Sequence, residues 1–452
     1  MALILGIALS ISTLHAQVTS FEEFKTEFEL LKATPGGGNV QIGAAFSINE
    51  PYTLSSTEEN PVSIGTVDSP STFVITVGEN GLLTLGSHVS IYTTTGKVLT
   101  STVGGHIAIE EGAEIISTAT SPLTANGGNV IINGGTITSS NFPAVLAEAN
   151  GSLVTINGGY VYTTSGASTS YPRAVNVTNN SDLVMNGGLV SADVVNGRGL
   201  NIQNGRITVN GGTVTANGTG ARAIQADFDN GLVIVSGDAY IESEQADGIV
   251  TQKSARVVIK GGVINANRPL FLNSGTSRIY DFRKIELTAN PEAGHYNQAQ
   301  EVTLGTIETA DASFTNSALG AVVRYSIDDA EIDESSTLFD AGFTLQVPAI
   351  IYALAEKDGY TSVVSTFEYT APTVSVVDVS TTQPNIPTVI KENIDLRSIA
   401  GVRSVSLFNL SGSLTFYTEN AGIINVSTLP KGLFIMQVAT IDSVLTYKLI
   451  KQ

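Results

Sequence analysis

The chain of 452 residues contains no cysteine and only four histidines, His15, His88, His106 and His295. The first absence removes disulfides, thiolate nucleophiles, Cys-ligated zinc and iron–sulfur clusters. The second leaves little imidazole for acid–base or metal chemistry. Charge is scarce too: 14% of residues carry one, against roughly 25% in an ordinary soluble domain. Basic residues are scarcest, 22 Lys and Arg against 41 Asp and Glu, a formal net charge of −19. Such a chain repels phosphate backbones and anionic lipid, which argues against nucleic acid as a partner. After the first residues no apolar run is long enough for a transmembrane helix. Glycine is what abounds: 45 residues, about 10% against an average near 7%. The length predicts more than one domain and room for a sizeable core.

Residues 1–16 read as a secretory signal peptide. The run Ala2 to Leu9 is apolar but too short to span a bilayer, and small residues follow it. No Lys or Arg precedes that run, and Leu14 stands where a small residue is usual. Next, Phe21, Phe24, Phe28 and Leu31 share one face of a 3.6-residue period within 21–33, with acids and lysines opposite, which predicts an amphipathic helix.

After Pro35-Gly36-Gly37-Gly38 the period changes to two. A glycine following an alternating apolar run then recurs at 43, 65, 86, 112, 134, 158, 187, 211, 237 and 261, a mean step near 24 residues. The clearest copies are Val130-Ile-Ile-Asn-Gly-Gly-Thr-Ile137, Val154-Thr-Ile-Asn-Gly-Gly-Tyr-Val161, Leu183-Val-Met-Asn-Gly-Gly-Leu-Val190, Ile207-Thr-Val-Asn-Gly-Gly-Thr-Val214 and Val257-Val-Ile-Lys-Gly-Gly-Val-Ile264. A strand-bearing period in the low twenties, without a leucine skeleton or a helical stretch per repeat, predicts a parallel β-helix. Nine or ten coils stacked at about 4.8 Å would make a rod of roughly 45 Å. Stacked asparagines at the Asn-Gly-Gly corner can bond along the rod. The pattern from Phe21 to Ile285 resembles the pectin-lyase-like right-handed β-helix superfamily, in which a capping helix of the 21–33 type is common.

Aligning the small-then-aliphatic pairs Ala144-Val145, Ala174-Val175, Gly199-Leu200, Ala223-Ile224 and Gly248-Ile249 stacks the preceding residues Pro143, Arg173, Arg198, Arg222 and Asp247, with Arg268 one coil on. Asn176, Asn201 and Gln225 stack two positions into the strand, and Glu148, Thr178, Gln203, Asp227 and Gln252 beyond them. Forked guanidiniums pair carboxylates and amides bond vicinal hydroxyls, so Arg173, Arg198, Arg222, Asn176, Asn201 and Gln225 form a candidate face for an extracellular polysaccharide. The alternative is a scaffold in which the arginines stack stem on stem and pair with Asp227 or Asp247. The superfamily includes polysaccharide lyases and hydrolases, but those need a compact set of carboxylates. No such set falls on neighbouring coils: Glu110, Glu111 and Glu114 sit on one strand, and His88 and His106 lack a third ligand. The expectation is a protein that is not an enzyme and uses no cofactor or metal.

Two further modules complete the chain. The series Ile285 to Tyr296, Gln300 to Leu304, Val323 to Asp329, Ser336 to Phe339 and Ile350 to Tyr360 resembles the chitobiase/β-hexosaminidase C-terminal-type domain, an immunoglobulin-like sandwich. Asp329 departs from the Gly usual there. Residues 371–387, rich in Pro, Thr, Val and Ser, read as a linker. From residue 388, the order Val405 to Gly412, Ile423 to Val438 and Lys448 to Lys451 resembles the C-terminal sorting domain of type IX secretion cargo, with Phe434 in place of the usual Tyr. That resemblance implies export across the outer membrane of a Gram-negative, Bacteroidota-type bacterium, to the surface or the medium, with the secretion machinery as a partner. The expected fold is all-β: a signal peptide at 1–16, a right-handed parallel β-helix with an N-terminal capping helix at 17–284, and small β-sandwiches at 285–370 and 388–452. The leading function is carbohydrate binding. A polysaccharide lyase or hydrolase, and an adhesin or structural rod without a small ligand, are the alternatives.

Overall fold

The computed structural model describes residues 17–452 apart from 95–96, 141, 165–171, 334, 373–385 and 420–421. The predicted signal peptide and most of the predicted linker therefore lie outside the described residues. The chain divides into two compact units, Met1–Ala371 and Pro372–Gln452. Among the described residues, no helix is long and apolar enough to cross a membrane.

The first unit opens with the predicted helix, α1 (Phe21–Lys32). Ser20 caps it by accepting a hydrogen bond from the Glu23 amide, and the Glu23 carboxylate reaches back to the Thr19 amide. Phe24, Phe28 and Leu31 are buried, and the two phenylalanine rings meet Phe46 and Tyr52 of the first coil. The apolar face thus covers the first turn of a solenoid, where a bare core would otherwise meet water.

That solenoid is parallel, of the right-handed type, with about 10 turns. Successive turns begin at Gly38, Val62, Val89, Ala113, Thr136, Tyr160, Leu189, Thr213, Tyr240 and Val263. Each turn contributes to three sheets, here A, B and C; in turn five these are Thr136–Ser139, Val145–Ala147 and Leu153–Ile156. Strands pair in parallel with their counterparts one turn below and above. Period-two alternation sends one set of side chains inward, and exact register stacks them. Ile64, Ile91, Ile115, Ile137, Val161, Val190, Val214 and Ile241 form one such column, and all are fully buried. Each contributes about 1.5–3 kcal/mol of gross hydrophobic stabilisation.

The seam from sheet C to sheet A holds three residues on most turns, 133–135, 157–159, 186–188 and 210–212 among them, and is longer at 55–61 and 236–239. The Asn-Gly-Gly corner fills it, and its two glycines answer different demands. Gly159 takes φ +76°, where a side chain is strained. Gly158 packs so closely that a Cβ would lie 2.4 Å from the Asn133 carbonyl oxygen. The asparagines form the expected ladder, each side-chain amide donating to the turn before. Asn133 donates to Glu110 at 2.8 Å, Asn157 to Asn133 at 2.9 Å, Asn186 to Asn157 at 2.9 Å and Asn210 to Asn186 at 3.0 Å.

The seam from sheet A to sheet B varies instead, spanning 65–74, 118–122 and 192–197 in three of the turns. Here the loops leave and rejoin the rod.

A sandwich sits against the last turns, within the same unit. One sheet holds Ile285–Asn290, Gln300–Glu308 and Phe343–Leu345, and the other is built around Ala349–Lys357, Val322–Ile327 and Ser365–Thr370. The Asp328 carboxylate accepts from the Ile350 amide on the neighbouring strand at 2.7 Å, and Asp358 and Gly359 both take positive φ at the turn that follows that strand. The sandwich does not hang from a tether. Val258 and Tyr280 of the rod join Phe282, Ile285, Ala318 and Ala355 in one buried cluster, with Leu232, Ile234 and Tyr360 against it. The Tyr280 ring lies 4.6 Å from that of Tyr360, and its hydroxyl donates to Asp358 at 3.2 Å.

The second unit is a separate small sandwich. Its larger sheet runs Val389–Ile390, Val444–Lys451, Gly432–Thr440, Val402–Phe408, Leu414–Glu419, and accompanies the pair Asn393–Asp395 and Ile423–Asn425. Phe434, Met436, Leu407 and Leu449 lie in its core.

Replacing Asn157 with Ala leaves the Asn186 amide without its acceptor and Asn133 without its donor. The expected cost is about 1–2 kcal/mol, measured by chemical denaturation. Asn150→Ala, on an exposed turn off the ladder, should change stability by less than about 0.5 kcal/mol. Gly159→Ala should cost more than the ladder variant, because a Cβ there lies 2.5 Å from the Gly134 carbonyl oxygen.

Candidate functional site

Sheet B carries the residues singled out in the sequence, and the register brings all six together. Arg173, Arg198 and Arg222 are paired across consecutive turns, succeeded by Asp247 and Arg268. Asn176, Asn201 and Gln225 are likewise paired in register. The outward column to which those amides belong continues in both directions, through Leu146, Thr124, Thr100 and Thr76 toward the helix and through Val250 and Phe271 toward the sandwich.

This column is the floor of a furrow. Cations border it on the side of the A–B seam, and Glu148, Gln203, Asp227 and Gln252 border it on the other. The floor is largely closed to solvent although it points away from the core: Thr124, Asn201 and Gln225 are 0% exposed and Asn176 is 8% exposed. The cause is the long side chains reaching over it. Arg198, itself 5% exposed, donates through Nη1 to Asn201 at 2.8 Å and to Asp227 at 3.0 Å. Asn201 passes the chain on to Asn176 at 2.7 Å. Arg222 donates to Gln225, which donates in turn to Asp227. Asp247 takes Arg268 at 2.7 Å, with Arg222 3.8 Å away. Arg268 also lies over Phe271, 3.4 Å from the ring centre.

The arginines therefore differ in what they can offer. Arg198 is committed to the interior network. Arg222 is 23% exposed along its side chain and Arg268 46% exposed. Arg173 is half-buried; burial draws its guanidinium below the ordinary range, an effect the nearby Asp227 opposes. Its Nε is buried with no hydrogen-bond partner. Of the six residues expected to meet a ligand, Arg173 and Arg222 reach solvent, whereas Asn201 and Gln225 lie wholly beneath the arginine layer.

The structure adds Lys97 to this face. It stands two places before Leu99, as Arg173 stands two before Val175, and Leu99, Leu123, Val145 and Val175 are in register. It pairs with Glu148 across the furrow. The sequence signal was present but masked: the pair there is Val98-Leu99, so a search for a small residue before an aliphatic one passes over it.

Chemically, each of these carboxylates in the furrow has a cation beside it: Glu148 has Lys97, Asp227 has Arg198, and Asp247 has Arg222 and Arg268. Glycoside cleavage uses a pair of carboxyl groups flanking the scissile bond; the three in this furrow are each engaged in an ion pair. Among the described residues, no group of three or more His, Asp or Glu is placed to hold a metal ion. Glu110 serves as the terminal acceptor of the asparagine ladder, and His106 contacts Asn129 at 3.2 Å.

Fold and furrow together define the class: a parallel β-solenoid with a helix-capped end, a docked sandwich at the other end and a polar furrow along one sheet. No protein-family model and no curated protein matches the chain.

Asp227→Ala should destabilise the first unit by about 3 kcal/mol or more, since it removes the carboxylate beside the buried Arg198 and the acceptor of Gln225. Asp182→Ala, which breaks the exposed pair with Arg206, should cost less than about 1 kcal/mol. Thermal or urea denaturation of the two variants side by side tests the difference.

Proposed function

We propose that this protein is an exported, non-catalytic rod that binds extracellular carbohydrate along the sheet B furrow. The observation that carries this reading is the in-register cation column beside an amide-lined floor. The solvent-reaching arginines stand on alternate turns, two strand separations or about 9.6 Å apart, and form a row of planar donors. Such a row can engage successive polar groups of an extended polymer, through Arg173, Arg222 and Arg268 at the rim. The buried members, Arg198, Asn176, Asn201 and Gln225, hold that rim in place. The paired state of Glu148, Asp227 and Asp247 supports binding over hydrolysis or lyase chemistry.

Export is part of the proposal. The signal-like residues 1–16 and the Leu429-Pro430-Lys431-Gly432-Leu433-Phe434 motif of the second unit support secretion through the type IX route to the surface or surroundings of a Bacteroidota-type bacterium. The tail is then the part read by the secretion machinery. Residues 285–370 act as a chitobiase-type accessory domain, and their docking against the rod suits a rigid support.

A second reading, a structural or adhesive rod without a small ligand, draws on one observation: Arg198, Asn201 and Gln225 are buried in a hydrogen-bonded network, as a scaffold would have them. A polysaccharide panel scored for retention and for new reducing or unsaturated ends separates the readings. Retention without product is expected for the wild type, and an Arg173→Gln/Arg222→Gln variant that keeps its fold should lose at least about tenfold in affinity, or ~1.4 kcal/mol. Product formation would replace the reading with an enzyme, and silence on every polysaccharide would favour the structural rod.

A further inference from the structure

The furrow continues past the arginines onto turns three to five, where its floor is Thr100, Thr124 and Leu146. Lys97 lies on turn three and Glu148 on turn five, so their ion pair crosses turn four, where Thr124 sits. Thr124 is 0% exposed, and its hydroxyl has no hydrogen-bond partner. Its register neighbours do not pair with it: Leu146 is apolar, and the Thr100 hydroxyl turns to the Lys97 carbonyl, to which it donates at 3.2 Å. Two turns on, the buried Nε of Arg173 is unpaired as well. Buried polar groups left unpaired are uncommon and destabilising. Two of them bracket turn five in one furrow.

We propose that the Lys97–Glu148 ion pair is a latch over a second subsite of this furrow, which takes a neutral, hydroxyl-bearing glycosyl unit on Thr124. The proposal rests on the carbohydrate reading above and deepens it. Opening the pair uncovers one cation and one carboxylate, which leaves no net charge to select a charged sugar. Vicinal hydroxyls meet the groups so uncovered: they donate to Glu148, accept from Lys97, and exchange a hydrogen bond with Thr124. A hydroxyl or ring oxygen toward turn six gives the Arg173 Nε its acceptor. The latch lies at the surface, with the Lys97 side chain 43% and the Glu148 side chain 23% exposed, so either partner can swing into water at small cost.

Because the chain has no cysteine, Thr124→Cys creates a single thiol at the floor, and replacing an unpaired hydroxyl there keeps the site's volume. Maleimide labelling of the full chain then reads how often the roof opens. With the latch intact labelling is slow; adding Glu148→Gln or Lys97→Met should speed it about fivefold, the order that a half-exposed ion pair supports. A second single-thiol reporter, Val154→Cys in the core of turn five, should keep its rate in both latch variants. A soluble neutral glucan should slow labelling at position 124 in the Glu148→Gln form, and a polyuronate should not. Equal rates with and without the latch, or acceleration of both reporters together, would overturn the latch. A latch effect with no protection by any polysaccharide that the protein retains would instead overturn the glycosyl assignment at this subsite, and absence of retention altogether would overturn the carbohydrate reading on which it rests.

Discussion

Register between successive turns is the constraint on which the rest of this protein depends. Each strand of the rod finds its backbone partners only in the turns below and above, so a shift of one residue would turn a core column outward and a surface column inward. The chain guards against this shift at the C–A seam. There a positive-φ glycine fixes the bend, a second glycine admits the neighbouring backbone, and asparagine amides tie one corner to the next. The isoleucine and valine columns are the reward of correct stacking, and the corner is what enforces it.

The same register creates the furrow. Once the core columns are aligned, whatever stands at an equivalent outward position must stack on itself, and like charges gather at the spacing of the strands. Three arginines in a row would repel one another without compensation. The structure supplies it by following the three with Asp247, by bringing Asp227 to Arg198, and by spreading the guanidinium bonds over Asn201 and Gln225. An acidic chain with few basic residues has concentrated several of them on one sheet, and has buried much of the polar lining in the process.

The period, the capping helix, the asparagine ladder and the pairing of Arg173 with Arg198 and Arg222 were legible in the sequence, because each depends on local chemistry repeated at a fixed spacing. The burial of Asn201 and Gln225 was not. Both occupy outward positions by alternation, and only the reach of Arg198 and Arg222 in three dimensions closes the floor over them. Lys97 escaped because its turn carries Val98 where later turns carry Ala or Gly. The docking of the sandwich was not legible: Ile234 and Val258 are apolar at an outward sheet C position, but so are Ile131 and Val184 on earlier turns of the same column, and Ile131 is exposed.

The unequal seams have a consequence for how such a chain can change. The C–A corner keeps three residues on most turns, and the four-residue corner 236–239 is absorbed with Tyr240 still in register with Thr213 and Val263. Where 65–74 and 118–122 differ in length on neighbouring stretches of one rod, the stacking is intact despite the difference. The longest insertions, 65–74 among them, fall on the edge from which the cation column projects. The solenoid behaves as a ruler: its divisions stay constant while the structures hung beside the furrow can be lengthened, shortened or exchanged one turn at a time.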